Sequence, residues 1–435
     1  MHAALPSTAR KLAIVASSPV AVQQAAQRRR DLNIFLAVCW ALSITGITMP
    51  GREAPLSLGA LDPVALIKLA TRGIAFVSFT VLLLRYNRNT SAPAVMRRVF
   101  PLLLFAAWAV ASILWSPMQT VTIGHAFELI VLTMLTAVAA FLSTDEHDYE
   151  RIFFHLTLIA TIMSLLLVLL NISPILSGMR PRDYMHPNDM AKNAGAGLIM
   201  FTCCYLLWHW KWTRTILLPA VGSTALLVFA ARSRTASVLT PVAMLLICFC
   251  FRKSKTVFAL CLAGGLFALV LPYSLTAEHI PEAIQGYMMR GQSTQELTEL
   301  SGRTEMWTIA WQSFKDSPLF GHGYYIMTKT GFFEVWGRLQ WQTAHNAFLH
   351  VITGLGLMGT GFLLWALIAA LRPSFCALKD RTKKVEFVAL AMVVWYCAMG
   401  MFELSFFGPV DTSVVIFFVL LGISAGRPQP APRQS

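Results

Sequence analysis

Ala347 to Leu371 reads AFLHVITGLGLMGTGFLLWALIAAL, a run with no Lys, Arg, Asp or Glu. At a rise of about 1.5 Å per residue such a helix spans the roughly 30 Å hydrocarbon layer of a bilayer. Immediately before it lies a polar stretch, Ser274 to Ala344, and before that the apolar runs return. Eleven further candidate spans follow the same logic: Asn33 to Met49, Val64 to Leu84, Val99 to Trp115, Val121 to Leu142, Ile152 to Leu170, Met190 to Leu207, Ile216 to Ala230, Ala236 to Cys250, Val257 to Leu271, Val385 to Met401 and Ser413 to Ile423. With 56% hydrophobic and only 13% charged residues over 435 positions, a soluble fold is excluded. The expectation is an all-α polytopic membrane protein of about twelve transmembrane helices, with one long outer (periplasmic) loop that contains amphipathic helices. Its segments are an N-tail over 1–31, nine helices over 32–273, the loop over 274–345, three helices over 346–425 and a C-tail over 426–435.

Most of the 35 Lys and Arg fall in segments on the same side as the N-terminus. Cations in short loops bias insertion, so both termini are expected in the cytoplasm and the long loop outside. The formal net charge of +14 therefore reports topology. Basic residues scattered over short loops, without a continuous stripe, argue against a nucleic-acid partner. The 8 cysteines lie in apolar spans or, for Cys376, in an inner loop, which predicts neither a disulfide framework nor a metal-ligand set. The segment before Arg28-Arg29-Arg30 lacks an apolar core long enough for a cleaved signal, so the first span is expected to direct insertion. The C-terminal Gly426-Arg427-Pro428-Gln429-Pro430 reads as a disordered tail.

Four outer segments carry polar groups that a simple bundle would not need. Arg180 to Asn188 (RPRDYMHPN) brings Arg182, His186 and Asn188 to the start of the sixth span, where Asn188 reads either as a helix N-cap or as a ligand contact. Arg232-Ser233-Arg234-Thr235 places two arginines in a tight outer turn, against the positive-inside bias, which calls for an anion or a lipid headgroup. In Ser301-Gly302-Arg303-Thr304-Glu305-Met306-Trp307, the apolar residues Met306, Ile309, Ala310 and Phe314 have helical spacing and predict an amphipathic surface helix. Arg303 then occupies the first turn, where the dipole disfavours a cation; either an anionic ligand or Glu305 would compensate. Ala344-His345-Asn346 closes the loop, and its histidine reads as a cap, a headgroup contact or a base. Glu403 and Asp411, in the last outer segment, are suited equally to sugar hydroxyls and to capping.

Arginines and histidines on one face suit displacement of a pyrophosphate: guanidinium groups meet the charge growing on the leaving group, and an imidazole takes the proton of an attacking hydroxyl. No metal site is expected, since the outer face shows no Asp-x-Asp or His-rich ligand set.

Ser301-Gly302-Arg303 with Trp307, the turn Pro318-Leu319-Phe320-Gly321-His322-Gly323, Ala344-His345-Asn346, Phe348-Leu349 and Gly354-Leu355-Gly356-Leu357-Met358-Gly359 together resemble the carboxy-terminal region of the O-antigen ligase and polysaccharide polymerase superfamily. Ser233-Arg234 and His186-Pro187-Asn188 fit the same pattern, so the resemblance runs from Arg182 to about Leu371. It implies a glycosyltransferase that needs no cofactor and acts on the outer face of the bacterial inner membrane. The donor would be a glycan on a polyprenyl pyrophosphate and the acceptor a glycan or a lipid A core sugar, with membrane lipids and polysaccharide assembly proteins as further partners. By resemblance His345 is the base or the group that orients the acceptor, Arg234 and Arg303 grip the pyrophosphate, and Arg232, Arg182, His186, Asn188 and Asn346 contact substrate or support the residues that do; His322 belongs to a turn that positions the loop. The alternatives are a transporter of glycolipid or anions and a non-catalytic subunit of an assembly complex. Against the transporter, Lys68, Arg72, His125, Glu128 and His155 cluster in the first five spans and no internal repeat is evident.

Overall fold

The computed structural model describes residues 19–47, 63–86, 92–143, 146–177, 179–181, 184–208, 213–251, 303–327, 344–377, 384–407 and 409–426. The ninth candidate span, Arg182, Ser301-Gly302 and most of the long loop lie outside the described residues.

Thirteen α-helices occur among the described residues: α1 Pro19–Ile44, α2 Pro63–Tyr86, α3 Ala92–Ala111, α4 Gln119–Leu142, α5 Glu146–Leu170, α6 Ile172–Leu176, α7 Pro187–Trp208, α8 Thr213–Ala230, α9 Arg234–Phe251, α10 Arg303–Asp316, α11 Ala347–Ala377, α12 Lys384–Gly400 and α13 Thr412–Gly426. A short 3-10 turn, Ser112–Leu114, extends α3. The other eleven candidate spans each fall on one of these helices. Six are long and apolar enough to cross a membrane (α2, α3, α4, α5, α7 and α11), and shorter apolar helices lie in α8, α9, α12 and α13. The long helices and their composition make this a membrane protein.

α13 is the hub, packed against α1, α3, α4, α5, α7, α11 and α12. It is buried from Thr412 to Ala425. Lipid tails are as apolar as leucine, so close contact between helices replaces hydrophobic expulsion as the driving force. The pair Gly422 and Gly426, four residues apart, provides that contact: a side chain at either would collide with the Thr136 or Ala140 carbonyl of α4. Thr136 Oγ1 donates to Phe418 O at 3.0 Å across the same seam. α2, at the periphery, exposes Leu66, Ile67, Leu69, Ile74 and Val77 along its length.

The two glycine-rich motifs interlock. The turn after α10 docks into a break in α11 at Gly356 (φ 65°, ψ −166°). His322 N donates to Thr353 O (3.1 Å), Gly323 N to Gly354 O (2.8 Å) and Leu357 N to Pro318 O (2.8 Å). Gly321, at φ 70°, sits against Gly354 with no room for a Cβ. His322 Nε2 donates to Ser313 O at 2.7 Å, tying the turn back to α10. These motifs clamp α10 across the start of α11, so their glycines serve backbone contact.

Several readings are corrected. Pro187, and not Asn188, opens α7; the His186 carbonyl accepts from Asp189 N (2.9 Å) and Met190 N (3.0 Å). Cys376 lies in the last turn of α11, because that helix continues past Leu371. Buried polar groups are not confined to the first five spans either: Lys192 in α7 and His350 in α11 are each about 1% exposed.

Candidate active site

The first turns of α7, α9, α10 and α11 meet the α12–α13 connection at one end of the bundle. On α10, Met306, Ala310 and Phe314 are buried, as the helical spacing predicts. Trp307 Nε1 donates to Ala344 O at 2.7 Å, pinning the residue before His345. Asn346 Oδ1 then accepts from Phe348 N and Leu349 N, both at 3.0 Å, and so caps α11. Between them His345 is held at φ 44°, a left-handed conformation that costs a non-glycine residue energy and gathers at functional sites.

Glu403 is the centre of the cluster. Its Oε2 accepts from His345 Nδ1 at 2.9 Å, and its Oε1 accepts from Arg303 Nη2 and from Asn188 Nδ2, both at 2.6 Å. Arg303 Nη1 also donates to Phe402 O at 2.7 Å. The anion that offsets Arg303 in the first turn of α10 is therefore Glu403, 100 residues away, and not Glu305. Burial raises the Glu403 carboxyl, but the His345 hydrogen bond and the charges of His345 and Arg303 outweigh it and hold it below its ordinary value. By accepting from Nδ1, the Glu403 carboxylate orients the His345 ring, and in the neutral imidazole this tautomer leaves Nε2 as the acceptor.

Arg180 extends the cluster. Its Nη2 donates to Asn188 Oδ1 at 2.8 Å and its Nε to Ala231 O at 2.8 Å, tying the start of α7 to the α8–α9 turn. In that turn Arg232 has φ 51° and Arg234 opens α9, close enough to Arg303 for the two charges to repel. The His186 ring lies 6.1 Å from that of His345 and accepts from Asn188 N at 3.3 Å. Although it keeps an exposed face, desolvation, reinforced by His345 and Arg180, pushes His186 below its usual range, so it is neutral at pH 7. Beneath these residues Lys192 bridges Asp189 (3.0 Å) and Asp411 (3.2 Å), and Asp411 Oδ1 caps α13 through Val414 N at 2.8 Å.

Of the residues singled out in the sequence, the structure thus gathers His345, Arg303, Arg234, His186, Asn188, Asn346 and, through the α8–α9 turn, Arg232. In the sequence Glu403 and Asp411 read only as sugar contacts or caps, and Arg180, Asp189 and Lys192 carry no signal that assigns them to the site. The sequence signal for Glu403 is an acid in a short outer segment between two apolar spans.

Residues 219–366 match the family model described as O-antigen ligase. Over about a third of its length the chain is similar to the O-antigen ligase family. The matched segment includes Arg232, Arg234, Arg303 and His345, and it implies glycosyl transfer in general, with a polyprenyl-linked glycan and an acceptor glycan as substrates. Its bounds are narrower than the motif resemblance and leave out Arg180, His186, Asn188 and Glu403. The cluster around His345 thus also draws on side chains outside the matched segment. Comparison with curated proteins gives no match.

Proposed function

We propose that the protein transfers a glycan from a polyprenyl pyrophosphate to an acceptor sugar hydroxyl, on the periplasmic face of a bacterial inner membrane, during ligation or polymerisation of a surface polysaccharide. One observation carries the reading: a single carboxylate, Glu403, joins Arg303 and His345 within the end of the bundle that also holds Arg180, Arg232 and Arg234. In this reaction His345 Nε2 removes the proton of the acceptor hydroxyl while its oxygen bonds to the anomeric carbon. The bond from that carbon to the pyrophosphate oxygen breaks, and its electron pair leaves with the polyprenyl pyrophosphate. Arg303 and Arg234, with Arg232, meet the charge that grows there; Glu403 is a positioning residue that fixes the tautomer of His345 and the angle of Arg303. A positioned base contributes about 10²–10⁴-fold, and each preorganised donor about 10²–10³-fold.

His186 and Asn188 line the approach of the sugars in this reading, Asn346 acts there beside its cap, and Arg182, outside the described residues, is a further substrate contact by motif alone. Guanidinium groups take the part of a divalent ion, so the reaction is metal-independent. The cation bias of the short loops supports cytoplasmic tails at 1–31 and 426–435 and a periplasmic loop at 274–345. The acceptor is a lipid A core sugar in ligation and a second lipid-linked repeat in polymerisation.

The test is purified protein in liposomes with a lipid-linked repeat, with and without a lipid A acceptor. Glycan transfer without an energy source, unaffected by EDTA, is expected. Lipid-linked sugar crossing the bilayer without transfer would replace the enzyme by a transporter, and strong inhibition by EDTA would remove the arginines from the role of the metal.

A further inference from the structure

A second polar cluster lies beside the first, inside the helices, and the chemistry above does not use it. In α2, Arg72 Nε donates to Glu128 Oε1 of α4 at 2.6 Å. The other oxygen of Glu128 is bonded to His125 Nδ1 at 3.1 Å. Both oxygens of the one carboxylate are therefore committed, while Lys68, a turn before Arg72, is half-buried and has no carboxylate of its own among the described residues. Arg72 Nη1 donates to the Lys68 carbonyl at 2.9 Å, which keeps the two cations together. An arginine, a lysine and an imidazole against one carboxylate leave an apolar helix with more basic than acidic groups, an arrangement that marks a functional site.

The surroundings indicate what completes it. α2 and α4 run parallel, with Phe76 beside Phe127 and Tyr86 beside Phe141, so Lys68 and Arg72 lie towards the end that carries His345. The outward face of α2 is apolar and uncovered at Leu66, Ile67, Leu69 and Ile74, a surface for an acyl or prenyl chain. On the inward side Tyr325 stacks on His125 with centroids 3.6 Å apart and meets the edge of His350 at 4.9 Å. His350 is buried, and neither of its ring nitrogens has a partner among the described residues. Buried polar groups are normally satisfied, and an orphaned imidazole beside a cation excess points to a polar ligand.

We propose that Lys68, Arg72 and His125 form a second anion site, open to lipid along α2, that holds the phosphate of the lipid carrying the acceptor glycan. The proposal rests on the transfer reading for the word acceptor; the phosphate-lipid site itself does not. Tyr325 lies between His125 of this cluster and His350 of α11, the helix that starts just after His345. The donor's pyrophosphate at Arg303 and the acceptor's phosphate at Lys68 would then be held by separate anchors at the end of the bundle that carries His345, which is what transfer between two membrane-bound substrates requires.

Native mass spectrometry of the detergent-solubilised full chain, titrated with a polyprenyl monophosphate, reads the site without turnover. Two bound lipids are expected for the wild type, one for Lys68→Gln, one for Arg303→Ala and none for the double variant, with Lys68→Arg restoring the second. Neutral polyprenol is expected to leave the α2 site empty. Two lipids on a monodisperse Lys68→Gln protein would overturn the proposal, as would phosphatidylglycerol displacing the second lipid at equal concentration, which marks ordinary headgroup contact. A wild type that binds two lipids and transfers nothing would sink the transfer reading alone. In liposomes Lys68→Gln is expected to raise KM for the lipid-linked acceptor about tenfold and to leave the donor KM within about twofold; the reverse pattern would assign the site to the donor.

Discussion

At the end of the bundle farthest from His345, Arg28, Arg85 and Arg98 each have a partner of their own, whereas at His345 an arginine, an imidazole and an amide share one carboxylate. Arg28 pairs with Asp148 and donates to Leu142 O, Arg85 donates to Asp31 Oδ1 at 2.6 Å, and Arg98 donates to Ala425 O at 2.8 Å, capping α13. Each contact closes a charge or an orphaned helix carbonyl and ties two helices together. At the other end Glu403 serves Arg303, His345 and Asn188 at once, with Arg180, Arg232 and Arg234 close by. These contacts at the far end hold the fold. The near end is short of negative charge, which a doubly charged ligand supplies.

The sharpest way to break this contrast is substitution at the near end. His345→Ala, Arg303→Ala and Arg234→Ala are each expected to lower transfer by about 10²–10³-fold or more while the protein inserts and accumulates normally. Turnover at the wild-type rate in Arg303→Ala would remove the pyrophosphate assignment. Glu403→Gln comes next, with kcat down about tenfold or more and donor KM little changed, because it loosens His345 and Arg303 without removing either. Its pH signature separates positioning from mere packing. The native carboxyl titrates below its ordinary 4.5, so the stability it contributes is complete above that value and is lost as pH falls through the lower, native one. Wild-type melting temperature should therefore drop on acidification below pH 4.5, and Glu403→Gln should lack that drop; parallel curves would deny the carboxylate its role.

At the far end the expected pattern inverts. Asp31→Ala leaves Arg85, Tyr86 and Gln27 without their shared acceptor and should cost about 1–3 kcal/mol in thermal stability, with transfer per folded molecule within about twofold of wild type. A large loss of kcat there would erase the distinction between the ends. The smallest effect is expected at Asn346→Ala, about 1 kcal/mol for the lost cap of α11, with substrate KM values unchanged if capping is its whole task. A raised donor or acceptor KM would return Asn346 to the substrate contacts.

Much of the site was legible because its residues travel in local motifs. Ser233-Arg234, Arg303 with Trp307 and Ala344-His345-Asn346 each stand at a helix start, where composition announces the boundary. Glu403 was legible only as one of two acids in an outer segment, since its significance comes from Arg303, His345 and Asn188, at separations of 100, 58 and 215 residues. Lys192 and His350 were hidden by apolar neighbours, which make a short polar interruption look like part of a span. The Pro318 to Gly323 and Gly354 to Gly359 motifs were visible as motifs, but that one fits inside the other required the positive-φ break at Gly356.

Composition and hydropathy pattern by themselves determined that this chain is a bundle of apolar helices, because a backbone in lipid must satisfy its own hydrogen bonds within each span. They also fixed where the helices begin near the polar motifs. Only the tertiary structure decided which charges share a neighbour, since a carboxylate bonds to whatever donor the packing brings within about 3 Å, however far away it lies along the chain.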